Sequence, residues 1–128
     1  PWQSGPEVQI YDHKFEAGVE TTGFLYQLYT AKHDASRPAG EWNTIEIHIA
    51  PDTCCTKVNG QTYYTYKLGS KDFWARVQKS KFHEYPFFAA KQSGRLAIQG
   101  DHGKVAFRNI KIRKWSPQAQ APFGDLRP

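Results

Sequence analysis

Residues 44–66 limit what this chain can become more than any other stretch. The run TIEIHIA at 44–50 alternates without a break, with Ile45, Ile47 and Ile49 on one side and Thr44, Glu46 and His48 on the other. That is the two-residue period of a half-buried strand, not of a helix. Two more β-rich runs, 55–58 and 61–66, flank Asn59-Gly60, and both turn residues tolerate the positive φ that a two-residue hairpin requires. Residues 7–11 (EVQIY), 23–29 (GFLYQLY), 95–99 and 104–113 also read as strands, the last two joined through Gly100-Asp101-His102-Gly103. One stretch departs from this pattern. Residues 71–81 place Phe73, Trp74 and Val77 at helical spacing and read as a short helix or turn crossing between sheets. Many short strands with turn punctuation and little helix predict an all-β sandwich or jelly roll.

A chain of 128 residues fills one domain with a real core. No apolar run is long enough to span a bilayer as a helix. Seventeen basic against 12 acidic side chains give a formal charge of +5, which suits an anionic partner in principle. The basic residues are scattered or alternate along strands, however, so a solvated surface is expected and no nucleic-acid partner. Cys54 and Cys55 are adjacent, too close for an unstrained disulfide. On a strand they point to opposite faces, which predicts one buried thiol and one outward thiol. Residues 116–128 contain three Pro and no periodicity and read as a tail, leaving 1–115 as the domain. The chain opens on Pro1 rather than Met, which predicts an upstream segment.

Several short motifs occur in a fixed order. They are Gly5-Pro6-Glu7-Val8-Gln9-Ile10 with Asp12, Gly23 to Tyr26, and Pro38-Ala39-Gly40-Glu41-Trp42-Asn43. Val58-Asn59-Gly60, Ser80-Lys81-Phe82, Gln99-Gly100-Asp101-His102-Gly103 and Phe107-Arg108-Asn109-Ile110 follow. In this order and spacing the sequence resembles the 3-keto-disaccharide hydrolase-like domains. The resemblance implies a concanavalin-like jelly roll, a carbohydrate partner of the 3-keto-glucoside type, and a secreted or periplasmic location. It also implies that this chain corresponds to the C-terminal part of the family domain. Family members begin earlier, with strands that include a Gly-Asn-Ser-Gly-type segment, so a second chain supplying strands is one expectation. Many relatives read Gln-Asp-His-Gly where this chain has the extra Gly100.

The implied reaction starts from the acidity that a C3 ketone confers on the C2 hydrogen. A base removes that proton, the C1 substituent departs, and water adds to the enone. The chemistry needs a base, a group to polarise the keto oxygen and a proton donor for the leaving group. The resemblance points to Glu7 as base, with His102 and Asp12 as acid or metal ligands. Arg108 or a divalent cation such as calcium would stabilise the enolate. Gln9, Tyr26, Trp42, Gln99, Asp101 and Arg108 are the expected substrate-binding residues. Each has a competing structural reading. Trp42 opens the strongest strand and suits a core anchor as well as a sugar platform. Arg108-Asn109 shifts the apolar phase from Val105 and Phe107 to Ile110 and Ile112, as a β-bulge does. Gly100 to Gly103 suits a simple turn. A non-catalytic carbohydrate-binding module and a structural subunit are the alternatives to an enzyme.

Overall fold

The computed structural model describes residues 3–12, 21–91, 93–100, 103–114 and 116. The chain divides into two compact units, Pro1–Arg95 and Leu96–Pro128. In the first, Asn59 and Gly60 take φ of 49° and 83°. Two successive left-handed residues make a type I′ turn, whose twist matches that of the strands it joins. It connects β2 (Cys54–Val58) to β3 (Gln61–Tyr66), and β1 (Ile45–His48) pairs antiparallel with β2 on the other side. The result is a three-stranded sheet of order β1-β2-β3.

The ladder is interrupted once. Thr56 faces Tyr64 while Lys57 faces Thr62, so Tyr63 is the extra residue of a bulge. The bulge breaks the alternation, and both Tyr63 and Tyr64 are buried. Cys54, Thr56 and Val58 share the core face of β2, whereas Cys55 and Lys57 lie on the opposite face and are half-buried. One inward and one outward thiol is the arrangement that strand alternation predicts, and both cysteines are free.

The sequence 71–81 forms a helix, α1 (Lys71–Lys79), followed by a 3-10 turn at Lys81–Glu84. Ser70 accepts a hydrogen bond from the Phe73 amide and caps the helix, and Asp72 in the first turn suits the positive end of the dipole. Phe73 and Val77, four residues apart, are buried against the sheet's aromatic side chains. Ser80 links the two helices, donating to the Val77 carbonyl and accepting from the Phe82 amide. Phe82 stacks on Phe88 with ring centroids 4.2 Å apart.

Residues 7–11 and 23–29 form no extended strands. Val8 makes a single bridge to Leu25, and 21–29 folds as successive turns. The cause is local. The Phe24 amide bonds to the Thr21 carbonyl, with Gly23 at φ 85° in the third turn position, and the Gly23 amide bonds to the Gln9 carbonyl. This is a type II turn fused to a bulge, and it ends the pairing. A Cβ at Gly23 would lie 2.4 Å from Val58 Cγ2, so both backbone and packing require glycine there. Farther along, the Thr22 hydroxyl takes over from the backbone, accepting from the Tyr11 amide and donating to the Tyr11 carbonyl. The turns bury Phe24, Leu25, Leu28 and Tyr29 in the same core as the sheet.

Two further expectations are corrected. Residues 95–99 and 104–113 carry no ladder among the described residues. Within the second unit the chain folds back enough to place Val105 Cγ1 3.7 Å from where a Gly100 Cβ would stand. Asn109 takes φ 54°, so a backbone kink does sit where the apolar phase changes. The isoleucines of β1 are also less covered than their alternation suggests. Ile45 packs on the core, but Ile47, on the edge strand β1, is 41% exposed, and Ile49, past the end of that strand, is 65% exposed. The described architecture is a β fold with one antiparallel sheet and a short helix packed on it. No helix among the described residues is long and apolar enough to cross a membrane.

Candidate functional site

The short antiparallel pairing of residues 7–9 with 24–26 gathers three of the expected site residues. The Tyr26 amide bonds to the Glu7 carbonyl at 2.9 Å, and the Gln9 amide bonds to the Phe24 carbonyl at 2.9 Å. Val8 and Leu25 between them form the non-hydrogen-bonded pair. Glu7 therefore stands directly across from Tyr26, on the same side as Gln9 by the two-residue period. All three are half-buried, wet enough for a carboxylate and close enough to a core to hold a fixed position.

A fourth residue joins them that the sequence did not single out for chemistry. Lys81 Nζ donates to the Tyr26 hydroxyl at 3.1 Å and lies 4.4 Å from the centre of its ring. The lysine backbone is anchored on both sides. Its amide bonds to Gln27 Oε1 at 3.4 Å, and its neighbour Phe82 is buried and packs edge-on against Tyr26. The only sequence signal was the Ser80-Lys81-Phe82 motif, which by itself reads as a cap followed by a core aromatic.

The other expected residues are placed differently. Asp12 is exposed at the end of the described N-terminal segment. Trp42 is no core anchor: it is 45% exposed, on a loop that never enters the sheet. That loop is held by amides. Asn59 Nδ2 donates to the Ala35 carbonyl and to Asn43 Oδ1, while Asn43 in turn bonds the backbone of Arg37 in both directions. Arg37 Nη1 reaches the Trp42 carbonyl at 3.3 Å. Gln99 and Arg108 belong to the second unit and are exposed there. Asp101 and His102 lie outside the described residues.

Two other groupings are polar. On the outer face of the sheet, Glu46 Oε2 approaches His48 Nε2 at 3.5 Å, and the register sets Glu46 opposite Lys57 and His48 opposite Cys55. Burial pushes the Cys55 thiol up despite the nearby Lys57 cation, which leaves it a poor nucleophile. A cleft of about 280 Å³ opens between residues 30–33 and Gln61, Thr62 and Tyr63. It contains no carboxylate and falls just below the usual range for ligand pockets, about 300–1,000 Å³. Among the described residues no three His, Cys, Asp or Glu side chains converge as a metal site. The stretch around Glu7 and Tyr26 brings an expected carboxylate near the Tyr26 hydroxyl and the Lys81 ammonium, donors suited to a polarised oxygen.

The chain is 27% identical to a 3-keto-disaccharide hydrolase of Bacteroides thetaiotaomicron, across 86% of this chain and 44% of that protein. It superposes on the crystal structure of a candidate glycosyl hydrolase from Parabacteroides distasonis with a TM-score of 0.63 and 24% identity. That superposition covers 71% of this chain and 46% of the other. The chain thus spans less than half the length of either protein. The 3-keto-alpha-glucoside-1,2-lyase-like domain family matches residues 1–113, and the chain belongs to that family.

Proposed function

We propose that this domain cleaves the glycosidic bond of 3-keto-glucosides by proton abstraction at C2, elimination of the C1 substituent and hydration of the enone. The observation that carries this reading is Glu7, half-buried and fixed across from Tyr26 by the backbone bond between them. A carboxylate next to the Tyr26 side chain is a base that can meet the C2–H of a sugar whose keto oxygen faces the Tyr26 hydroxyl. Family membership and the name of the Bacteroides relative support the substrate class. In this reading the C2–H bond breaks toward Glu7, the C1–O bond breaks toward the departing group, and water restores the hydroxyl at C1 and the hydrogen at C2. Gln9 hydrogen-bonds ring hydroxyls. The leaving-group acid is assigned to His102 or Asp12. The proposal includes a concanavalin-like jelly roll around this sheet, with further strands contributed by a second chain.

The test is release of 4-nitrophenol from 4-nitrophenyl 3-keto-α-D-glucoside above the uncatalysed rate. Glu7→Gln is expected to lower turnover by about 10²–10⁴-fold, the usual worth of a positioned base. The exposed Trp42 favours a second reading, a carbohydrate-binding module with an aromatic platform. Wild-type protein that binds the 3-keto-glucoside without cleaving it would establish that reading and end the enzymatic one.

A further inference from the structure

We infer that Tyr26 and Lys81 together form the electrophilic half of this site: the Tyr26 hydroxyl donates to the C3 oxygen as it becomes an enolate, and Lys81 positions and polarises that hydroxyl. The inference rests on Glu7 being the base. Its geometry follows from the reaction itself. The proton removed and the oxygen that gains charge sit on neighbouring carbons, so base and oxyanion donor must lie within a few ångströms of each other. Residues directly opposite on an antiparallel pair have Cβ atoms about 4.5–5.5 Å apart. Glu7 and Tyr26 flank the single Val8–Leu25 bridge and are joined by a backbone hydrogen bond of 2.9 Å, which keeps their side chains neighbours. Lys81 Nζ donates to the Tyr26 oxygen at 3.1 Å, and a cation held there makes the phenolic O–H a stronger donor.

The step balances without a co-reactant. The C2–H electron pair becomes the C2–C3 double bond while the proton passes to the Glu7 carboxylate. The C3–O π pair moves onto oxygen, where Tyr26 O–H stabilises it with the Lys81 ammonium behind. Collapse of the enolate restores the C3 carbonyl, forms the C1–C2 double bond and expels the C1 oxygen, which takes a proton from the acid. Arg108, the residue first expected to hold the enolate, is not required.

The competing account is that Lys81 merely lays its stem on an aromatic ring, as exposed lysines do. Exchange of the C2 hydrogen of methyl 3-keto-α-glucoside in D2O, followed by proton NMR, separates the two. It reads enolisation without needing the leaving group to depart. Lys81→Met and Tyr26→Phe are each expected to slow exchange by at least about tenfold with KM within about twofold, and the double variant to be no slower than either, because the pair acts as a unit. Lys81→Arg keeps the cation and is expected to retain most of the rate. Lys81 is exposed and Tyr26→Phe keeps the ring that packs on Phe82, so equal thermal midpoints are expected for these variants. Active wild type with Lys81→Met exchanging as fast, or with the two single effects multiplying in the double variant, overturns the pairing and leaves Glu7 standing. Wild type that neither exchanges nor cleaves removes the Glu7 reading, and this inference with it.

Discussion

At the scale of single residues, helix and turns are tied together by three side chains. The Tyr29 hydroxyl donates to Asp72 Oδ2 at 2.6 Å, Arg76 Nε donates to the same oxygen at 3.0 Å, and Arg76 Nη1 reaches the Leu28 carbonyl at 3.0 Å. The guanidinium also covers the Tyr29 ring, 4.3 Å from its centre. Burial first, and then the Asp72 carboxylate, push the Tyr29 hydroxyl up to about 12. The Tyr29 and Arg76 hydrogen bonds hold the Asp72 carboxyl below its ordinary value. The two signs differ. A raised tyrosine stabilises the fold fully below the unfolded value of about 10. That contribution is lost as pH rises toward about 12. A lowered carboxyl stabilises above about pH 4 and is lost as pH falls through its folded value. Acid and alkaline unfolding monitored by circular dichroism is therefore expected to show both limbs, and Asp72→Asn to flatten the acid one. Little of this was legible in the sequence. Asp72 and Arg76 at i, i+4 read as an ordinary surface pair, and nothing local announces that Tyr29, 43 residues away, completes it.

Elements were read best where a local rule has no competitor. The hairpin at Asn59-Gly60 and the capped helix from Ser70 stand where turn chemistry and spacing put them. The runs at 7–11 and 23–29 form no strands because composition and alternation report only a preference for extended backbone. They do not report the type II turn at Gly23 or the Thr22 hydroxyl that replaces the ladder. For the site, the same irregular pairing explains why Glu7, Gln9 and Tyr26 could be nominated while Lys81 could not. Its contact with Tyr26 spans 55 residues. Asn59 shows how one residue serves two elements. Its backbone makes the turn, and its side chain accepts from the Thr44 amide and donates to the 35–43 loop. Asn59→Ala is expected to cost about 2–4 kcal/mol in urea unfolding, from the left-handed backbone plus the lost hydrogen bonds. Asn59→Gly keeps the turn and loses only the bonds, so it should fall between wild type and Ala. An equal loss in both would put the whole effect in the side chain.

At the scale of the molecule, the two units differ in what protects their backbones. Every buried hydrophobic residue described belongs to Pro1–Arg95, where sheet, helix and turns close on one aromatic core. In the second unit Leu96, Ile98, Val105 and Phe107 keep the alternation of strands yet are exposed, and no ladder among the described residues covers their amides. Alternation fixes which side chains share a face, but a ladder needs a neighbouring strand, and no local pattern supplies one. Hydrogen exchange read by mass spectrometry tests the consequence. Amides of β2, β3 and α1 are expected to exchange slowest, and those of 96–100 and 103–114 faster than these in dilute protein. The proposed second chain makes a sharper demand. If it completes the jelly roll by pairing with these segments, their protection must rise with protein concentration or on adding the partner strands, while that of β2 and β3 stays constant. Slow exchange at 96–114 in dilute monomer would instead mean that this chain closes its own sheet. The extra strands would then be unnecessary to the site built on Glu7.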